Sequence, residues 1–98
     1  MSDLRFAWDA AKEAANRRKH RVSFAEAETV FSDDYAMLID DPEHSDDEDR
    51  FVLMGLSARL RTLVVVHAYR GTEGIIRLIS ARKANSRERA LYNLRWRS

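Results

Sequence analysis

A histidine and two arginines interrupt otherwise apolar stretches in the second half of the chain. His67 lies within TLVVVHAY, whereas Arg77 and Arg82 lie within IIRLISAR. Imidazole titrates near neutral pH and can move a proton, while guanidinium stays charged and can stabilise negative charge on phosphate oxygens. Such side chains could cleave RNA without a metal, if a base takes the 2′-hydroxyl proton and cations stabilise the phosphorus transition state.

The relative placement of His67 and Arg77 depends on the register of a hairpin. The short loop RGTEG predicts that the two stretches pair in antiparallel fashion. Pairing that is symmetric about Thr72 would place His67 opposite Arg77 on one face of the sheet, and a slip of one residue would separate them. The alternative is a satisfied core histidine, with Arg77 paired to an acidic residue of one of the first two helices.

A second group of candidate residues surrounds the start of the last predicted helix. Arg82 and Lys83 directly precede NSRERALYNLRW, which has a capping box and exposes N–H groups that favour an anion. We therefore predict that Lys83 and Arg87 contact RNA phosphates. Tyr92, one turn beyond Glu88, could contact a phosphate or stack on a base, although a partly buried tyrosine is the alternative.

Charge is distributed unevenly along the 98 residues, although the formal net charge is only +1. Residues 1–49 contain six Lys or Arg and fourteen Asp or Glu, whereas residues 50–98 contain eleven Lys or Arg and two Asp or Glu. Ten of those eleven are arginines, and guanidinium pairs bidentately with phosphate. The alternative is a solvated surface whose two halves neutralise each other in the folded chain.

Composition restricts the class of protein. With 45% hydrophobic and 34% charged residues, residues 1–98 are expected to form a single globular domain. The absence of cysteine excludes disulfides and thiolate metal sites. The acidic stretch DDPEHSDDED lacks calcium-loop spacing, so we predict a solvated loop, with no metal and no cofactor. No apolar run is long enough for a membrane span, and we expect a cytoplasmic protein with no membrane partner.

The elements that must position these residues can be read from periodicity and caps. LRFAW predicts a short edge strand, Asp9 caps a helix from Ala10 to about Lys19, and Ser23 caps a second helix. Four strand-like segments follow, and Leu91 and Leu94 are expected to face the sheet from the last helix. The sequence therefore predicts an α+β domain with an antiparallel sheet of about four to five strands, two N-terminal helices and one C-terminal helix.

Two dense motifs resemble the BrnT family of toxins. FAWDAAKEAANRRKHRVSFAEAETVF follows the family pattern W-D-x-x-K-x-x-x-N-x-x-K-H-G-V-x-F-x-E-A, and IIRLISARKANSRERALY is similar to the second half of the family. The resemblance covers nearly the whole chain. It implies a RelE-like fold and an endoribonuclease that inhibits translation by cutting RNA. It further implies neutralisation by a ribbon-helix-helix antitoxin of the BrnA type, through which operator DNA would be bound.

The resemblance also assigns expected roles to individual residues. His67 and Arg82 stand at positions that are expected to be important for toxicity. Lys12, Lys19 and Arg77 occupy further family positions, and we predict that the two lysines contact RNA. We therefore expect His67, Arg77 and Arg82 to form the catalytic group of a metal-independent endoribonuclease.

The chain departs from the family pattern at two turns. Arg21 and Leu60 stand where the family usually has glycine. Glycine at such positions permits a positive φ, so either the turns differ or a strained residue is accepted.

Two other functions fit the same residues. An arginine-rich surface with aromatic side chains would also bind RNA without cleaving it. A basic face could instead serve only as the docking site for an acidic antitoxin.

Overall fold

The computed structural model describes residues 4–39, 50–70 and 72–97, so the predicted acidic loop lies outside the described residues. The elements are β1 (Arg5–Ala7), α1 (Ala10–His20), α2 (Phe24–Thr29), a 3-10 turn (Val30–Ser32), β2 (Met37–Ile39), β3 (Arg50–Leu56), β4 (Thr62–Arg70), β5 (Ile75–Lys83) and α3 (Ser86–Arg97). The predicted α+β class, with two N-terminal helices and one C-terminal helix, is confirmed. Within the described ranges, no helix has the length and apolar character needed to cross a membrane.

The strands form one sheet in the order β1-β5-β4-β3-β2. Strands β2 to β5 are antiparallel neighbours, as predicted, and β1 is an edge strand. However, β1 pairs in parallel with β5, with Arg5 opposite Ile75, so the sheet is mixed. No hairpin connects these two strands, and the long connection between them permits the parallel direction.

The register of the β4–β5 hairpin differs from the predicted one. His67 pairs with Leu78 and Arg77 pairs with Ala68, so the predicted juxtaposition of His67 and Arg77 is wrong. The last pair before the loop joins Arg70 to Ile75, which centres the hairpin between residues 72 and 73 and not on residue 72. This shift of the centre moves each partner by one position and places His67 and Arg77 on opposite faces.

The core has two parts, one on each face of the sheet. On one face, α2 and its flanking residues cover a cluster that includes Val22, Phe24, Ala27, Val30, Leu63, Val65, Leu78 and Ala81. Helix α3 covers a cluster of Val52, Met54, Val64, Ala84 and Tyr92. The two faces of β4 are therefore buried in different clusters, which explains its almost unbroken apolar sequence.

Helix α3 packs on the sheet through a different stripe from the predicted one. Leu91 and Leu94 are 47% and 62% exposed, whereas Tyr92 is 1% exposed and its hydroxyl donates to Asp33 Oδ2 at 2.5 Å. Burial of the large tyrosine ring, with its hydroxyl satisfied, sets the rotation of the helix. The predicted leucine stripe is wrong for this reason.

The predicted helix caps are present, and one of them takes a different form. Ser23 Oγ accepts from the Glu26 N–H at 3.1 Å, but the Glu26 carboxylate does not return to the cap. It is buried and accepts from Ser57 Oγ at 2.7 Å and Arg61 Nε at 2.9 Å. The hydrogen bond from Arg61 lowers the pKa of Glu26, opposing its desolvation. This ion pair ties α2 to the β3–β4 turn.

Both departures from the family glycines adopt left-handed backbone. Arg21 at the end of α1 has φ 60°, and Leu60 in the β3–β4 turn has φ 63°. The Arg21 N–H donates to Arg17 O at 2.9 Å and closes the helix. The turns are therefore retained, and the strained conformation is accepted.

Restoring glycine at these turns is expected to stabilise the fold. Leu60→Gly and Arg21→Gly should each raise the free energy of unfolding by about 1 kcal/mol, because glycine lacks the Cβ that clashes at positive φ. Leu60 is 78% exposed, so little packing is lost. Arg18→Gly, in the regular part of α1, is the control and should lower the free energy of unfolding by about 1 kcal/mol. Urea denaturation measures all three, and destabilisation by both turn variants would contradict the assignment of strain.

Candidate functional site

His67 lies on the face of the sheet that α2 and the 3-10 turn cover, away from both arginines. It is 5% exposed, and its ring packs edge-on against Phe31 at 4.9 Å and lies 5.9 Å from the ring of Phe51. It lines a groove of about 490 Å³ whose other walls are apolar or aromatic. Burial lowers the pKa of His67, so the neutral imidazole is favoured there. The described residues that line the groove include no lysine or arginine that could bind a phosphate.

A β-bulge in β5 brings Arg77 and Arg82 onto the same face. Val66 pairs with Ser80 and His67 pairs with Leu78, which leaves Ile79 as an extra residue. Residues five apart on a regular strand would point to opposite faces. With the extra residue, both arginines point to the face that α3 covers in part.

The partners of the two arginines on β4 confirm this arrangement. Arg77 lies opposite Ala68, Arg82 lies opposite Val64, and the even-numbered positions of β4 share one face. Arg50 of β3 also lies opposite Ala68, in the same row as Arg77. The first row consists of Arg50 and Arg77 at the level of Ala68, and the second consists of Arg82 at the level of Val64. The two rows are about 13 Å apart along β4, at a rise of about 3.3 Å per residue. We call this surface the arginine face.

Arg82 is held by a carboxylate at the start of α3. Its two terminal nitrogens donate to the two oxygens of Glu88, both at 2.8 Å. Glu88 also completes the predicted capping box, since its N–H donates to Asn85 Oδ1 at 2.8 Å and its Oε1 accepts from the Asn85 N–H at 2.9 Å. These hydrogen bonds, chiefly from Arg82, lower the pKa of Glu88 and keep it ionised. The pair fixes the direction of the guanidinium.

Helix α1 is joined to the open edge of β5 by one buried side chain. Asn16 Nδ2 donates to the carbonyls of Ala81 and Val22, each at 2.9 Å, and its Oδ1 accepts from the Ala81 N–H at 3.0 Å. Among the described residues, no strand pairs with β5 on this side beyond residue 77, and the Asn16 amide supplies hydrogen bonds to Ala81 in its place. Asn16 thus sets the position of α1 next to Arg82.

The stripe of α1 that contains Asn16 carries three further candidate residues. Lys12 lies one turn before it, and Lys19 and His20 lie one turn after it. Burial and the positive charges of Lys19 and Arg82 lower the pKa of His20. Asn16 fixes the same stripe of α1 against Ala81, the residue before Arg82, so His20 lies near the end of β5. The end of α1, the end of β5 and the start of α3 therefore meet at one place.

We call this place the β5-edge site and define it by Lys19, His20, Arg82, Lys83 and Glu88. The sequence predicted two of its cations, Arg82 and Lys83, together with Lys19 from the first motif. Chemically, the site offers a carboxylate-held guanidinium, two lysines and an imidazole. Such groups can bind a phosphodiester and move a proton beside it.

The other predicted RNA contacts are divided between the surface and the core. Lys12 and Arg87 are exposed on α1 and in the first turn of α3. Tyr92 is buried with its hydroxyl on Asp33, so in this structure its ring has no access to RNA. Its position assigns it to the core beneath α3.

The sequence assigned no functional role to Asn16 or His20, and it indicated Glu88 chiefly as a capping residue. A usable signal existed for Asn16, because asparagine is a poor helix former and it stands mid-helix after two alanines. A residue of this kind in a helix interior indicates a specific side-chain hydrogen bond. The second role of Glu88 required knowledge of where Arg82 points.

Comparison with known families identifies the chain. A family model described as the ribonuclease toxin BrnT of a type II toxin-antitoxin system matches residues 8–88. The match includes α1 and both members of the Arg82–Glu88 pair. The chain therefore belongs to the BrnT family of ribonuclease toxins of type II toxin-antitoxin systems. Membership implies an RNA substrate and an antitoxin partner.

A solved structure supports the assignment. The crystal structure of the Brucella abortus ribonuclease toxin, BrnT, is similar to this chain, with 26% sequence identity and a TM-score of 0.65. The similarity covers 85% of this chain and 99% of that chain. A comparison with curated protein sequences gives no match.

Proposed function

We propose that this chain is a metal-independent endoribonuclease that cleaves RNA at the β5-edge site and thereby inhibits translation. The observation that carries the proposal is the bulge in β5, which places Arg77 and Arg82 on one face. Arg82 is held there by Glu88, and Asn16 attaches α1, the helix that ends at His20, to the neighbouring Ala81. A single-stranded RNA that runs along the arginine face would contact an arginine at each of the two rows. Family membership supports RNA as the substrate.

The arrangement supports a division of labour between the arginines. Arg82, held by Glu88, is oriented before substrate binds, so it can stabilise charge that develops on a phosphate without reorganisation. Arg77 is exposed on the face, about 13 Å along the sheet, and would bind a neighbouring part of the RNA backbone. Lys12, Lys19, Lys83 and Arg87 would add further backbone contacts around the site.

The cleavage assay uses the purified chain and a single-stranded RNA in the presence of EDTA. The wild type should cleave the RNA, and Arg77→Ala should lower the rate about tenfold through the loss of one phosphate contact. Arg18→Ala removes an exposed arginine on another side of α1 and should leave the rate close to that of the wild type.

Three results would contradict the proposal in different ways. RNA that is bound but remains intact would favour the non-catalytic binding module. A chain that neither binds nor cuts RNA, yet binds its antitoxin, would favour the docking module. Activity that disappears in EDTA and returns with Mg²⁺ would overturn the metal-free mechanism.

We further propose that the antitoxin partner is a ribbon-helix-helix protein of the BrnA type, and that operator DNA is bound only through it. The excess of positive charge in residues 50–98 supports a salt-sensitive contact with an acidic segment of that partner. A RelE-like fold and a cytoplasmic location belong to the same proposal. Co-purification with the product of a neighbouring gene would test the identity of the antitoxin.

A further inference from the structure

We propose that His20, and not His67, exchanges the proton with the RNA 2′-hydroxyl at the β5-edge site. The inference rests on the proposed ribonuclease function and names the proton-transfer residue of that site. His20 is partly exposed at the end of α1, so an RNA strand can approach it.

The first support is the way in which α1 is attached. The three hydrogen bonds between Asn16 and the backbone of Ala81 and Val22 fix one face of the helix against β5. His20 follows Asn16 by four residues and lies on that face, while Arg82 directly follows Ala81. The face of α1 that carries His20 therefore lies against the end of β5 where Arg82 lies, with no flexible loop between Asn16 and His20.

The second support is the charge environment of the imidazole. Burial lowers the pKa of His20, and the positive charges of Lys19 on its own helix and Arg82 on β5 lower it further. The facing carboxylate from α3, Glu88, is already engaged by Arg82. His20 is therefore largely neutral at pH 7 and can accept a proton.

The third support is that the other titratable groups are less suited to the task. His67 lies on the opposite face in an apolar groove, with its Nδ1 3.4 Å from Val65 O. Glu88 has a lowered pKa and serves as the partner of Arg82. Tyr92 is buried under α3. Of the side-chain types in the β5-edge site, imidazole is the one whose ordinary pKa lies near neutral pH.

The proposed step balances without a cofactor. His20 takes the proton from the 2′-hydroxyl as the 2′-oxygen forms a bond to phosphorus, and the bond from phosphorus to the 5′-oxygen breaks. The leaving 5′-oxygen takes up a proton from solvent, and His20 later returns its proton to solvent. The products are a 2′,3′-cyclic phosphate and a 5′-hydroxyl end. Arg82 would stabilise the added negative charge on the phosphate oxygens.

The test measures the pH dependence of single-stranded RNA cleavage in EDTA for the wild type, His20→Gln and His67→Gln. For the wild type, kcat/KM should rise with pH through the pKa of His20, below the ordinary histidine value of about 6.5. His20→Gln should lower the rate about 100-fold and remove this rise of kcat/KM with pH, the acidic limb of the pH profile. His67→Gln should retain the limb. Imidazole added to His20→Ala should restore part of the cleavage, which a purely structural role would not allow.

The outcomes separate this inference from the proposed function. Cleavage by the wild type, with an unchanged limb in His20→Gln, would overturn the role of His20 alone. Loss of the limb in His67→Gln but not in His20→Gln would transfer the role to His67. A wild-type chain that does not cleave RNA would overturn both the ribonuclease proposal and this inference. Thermal melts confirm that each variant is folded.

Discussion

Replacing Arg82 with alanine is expected to lower the rate of RNA cleavage by about 100-fold or more, because it removes the oriented guanidinium proposed to stabilise the phosphorus transition state. Single-turnover cleavage of a saturating RNA measures this effect on the chemical step. Arg82→Lys retains the charge but not the two-pronged contact with Glu88, so it should recover only a minor part of the rate. Arg18→Ala is the matched control for the loss of one positive charge.

The stability of the Arg82 variant should change much less than its activity. Arg82 and Glu88 have side-chain exposures of 42% and 20%, and such a solvent-screened pair contributes about 1 kcal/mol or less. The pKa of Glu88 is lowered in the folded chain, so the contribution is present above the unfolded pKa of about 4.3 and is lost as pH falls through the folded value. At pH 7, the melting temperature of Arg82→Ala should be slightly lower than that of the wild type. In acid, this difference in melting temperature should disappear.

Two results would argue against this role of Arg82. Wild-type cleavage by a folded Arg82→Ala variant would remove Arg82 from the site. Loss of activity with an equally large loss of stability would mean that the residue acts through the fold.

The second large effect is expected for Asn16→Asp, which replaces the side-chain amide nitrogen with a carboxylate oxygen. This substitution should lower the free energy of unfolding by about 3 kcal/mol or more. The amide nitrogen donates to two buried carbonyls, Ala81 O and Val22 O. A carboxylate oxygen at that point cannot donate and faces both carbonyls with negative charge. Only the bond from the Ala81 N–H would remain.

Urea denaturation of wild type, Asn16→Asp and Asn16→Ala would test this interpretation. Asn16→Ala leaves the same carbonyls without a donor but introduces no charge, so it should be less destabilised than Asn16→Asp at pH 7. Lowering the pH should reduce the difference in free energy of unfolding between Asn16→Asp and Asn16→Ala. Protonation of the aspartate removes its charge and supplies one hydrogen-bond donor. A stable Asn16→Asp variant would show that the amide does not anchor α1 to β5.

Much of the fold follows from local sequence signals. The caps at Asp9, Ser23 and Asn85 marked the helix starts, and alternation in LRFAW marked the edge strand. These signals act over a few residues, where hydrogen-bond geometry and period determine the outcome. The parallel direction of β1 depends on a pairing between the two ends of the chain and has no local signal.

The site was predicted in part, and the reason lies in one position of β5. Arg82 and Lys83 were recognised because they precede a capped helix, which is a local pattern. The placement of His67 beside Arg77 failed because the hairpin centre is shifted by one residue. The bulge at Ile79 then moved Arg82 to the face of Arg77, and no residue type in IIRLIS specifies such an insertion.

The pairing of β1 with β5 also bears on when the toxin becomes complete during synthesis. Arg5 lies opposite Ile75, and Asn16 bonds to Ala81, so the first helix depends on contacts with the last third of the chain. Contacts of such high sequence separation form late, and an emerging chain cannot make them until that strand has left the ribosome. The residues between α1 and β5 are therefore all synthesised before the β5-edge site can assemble.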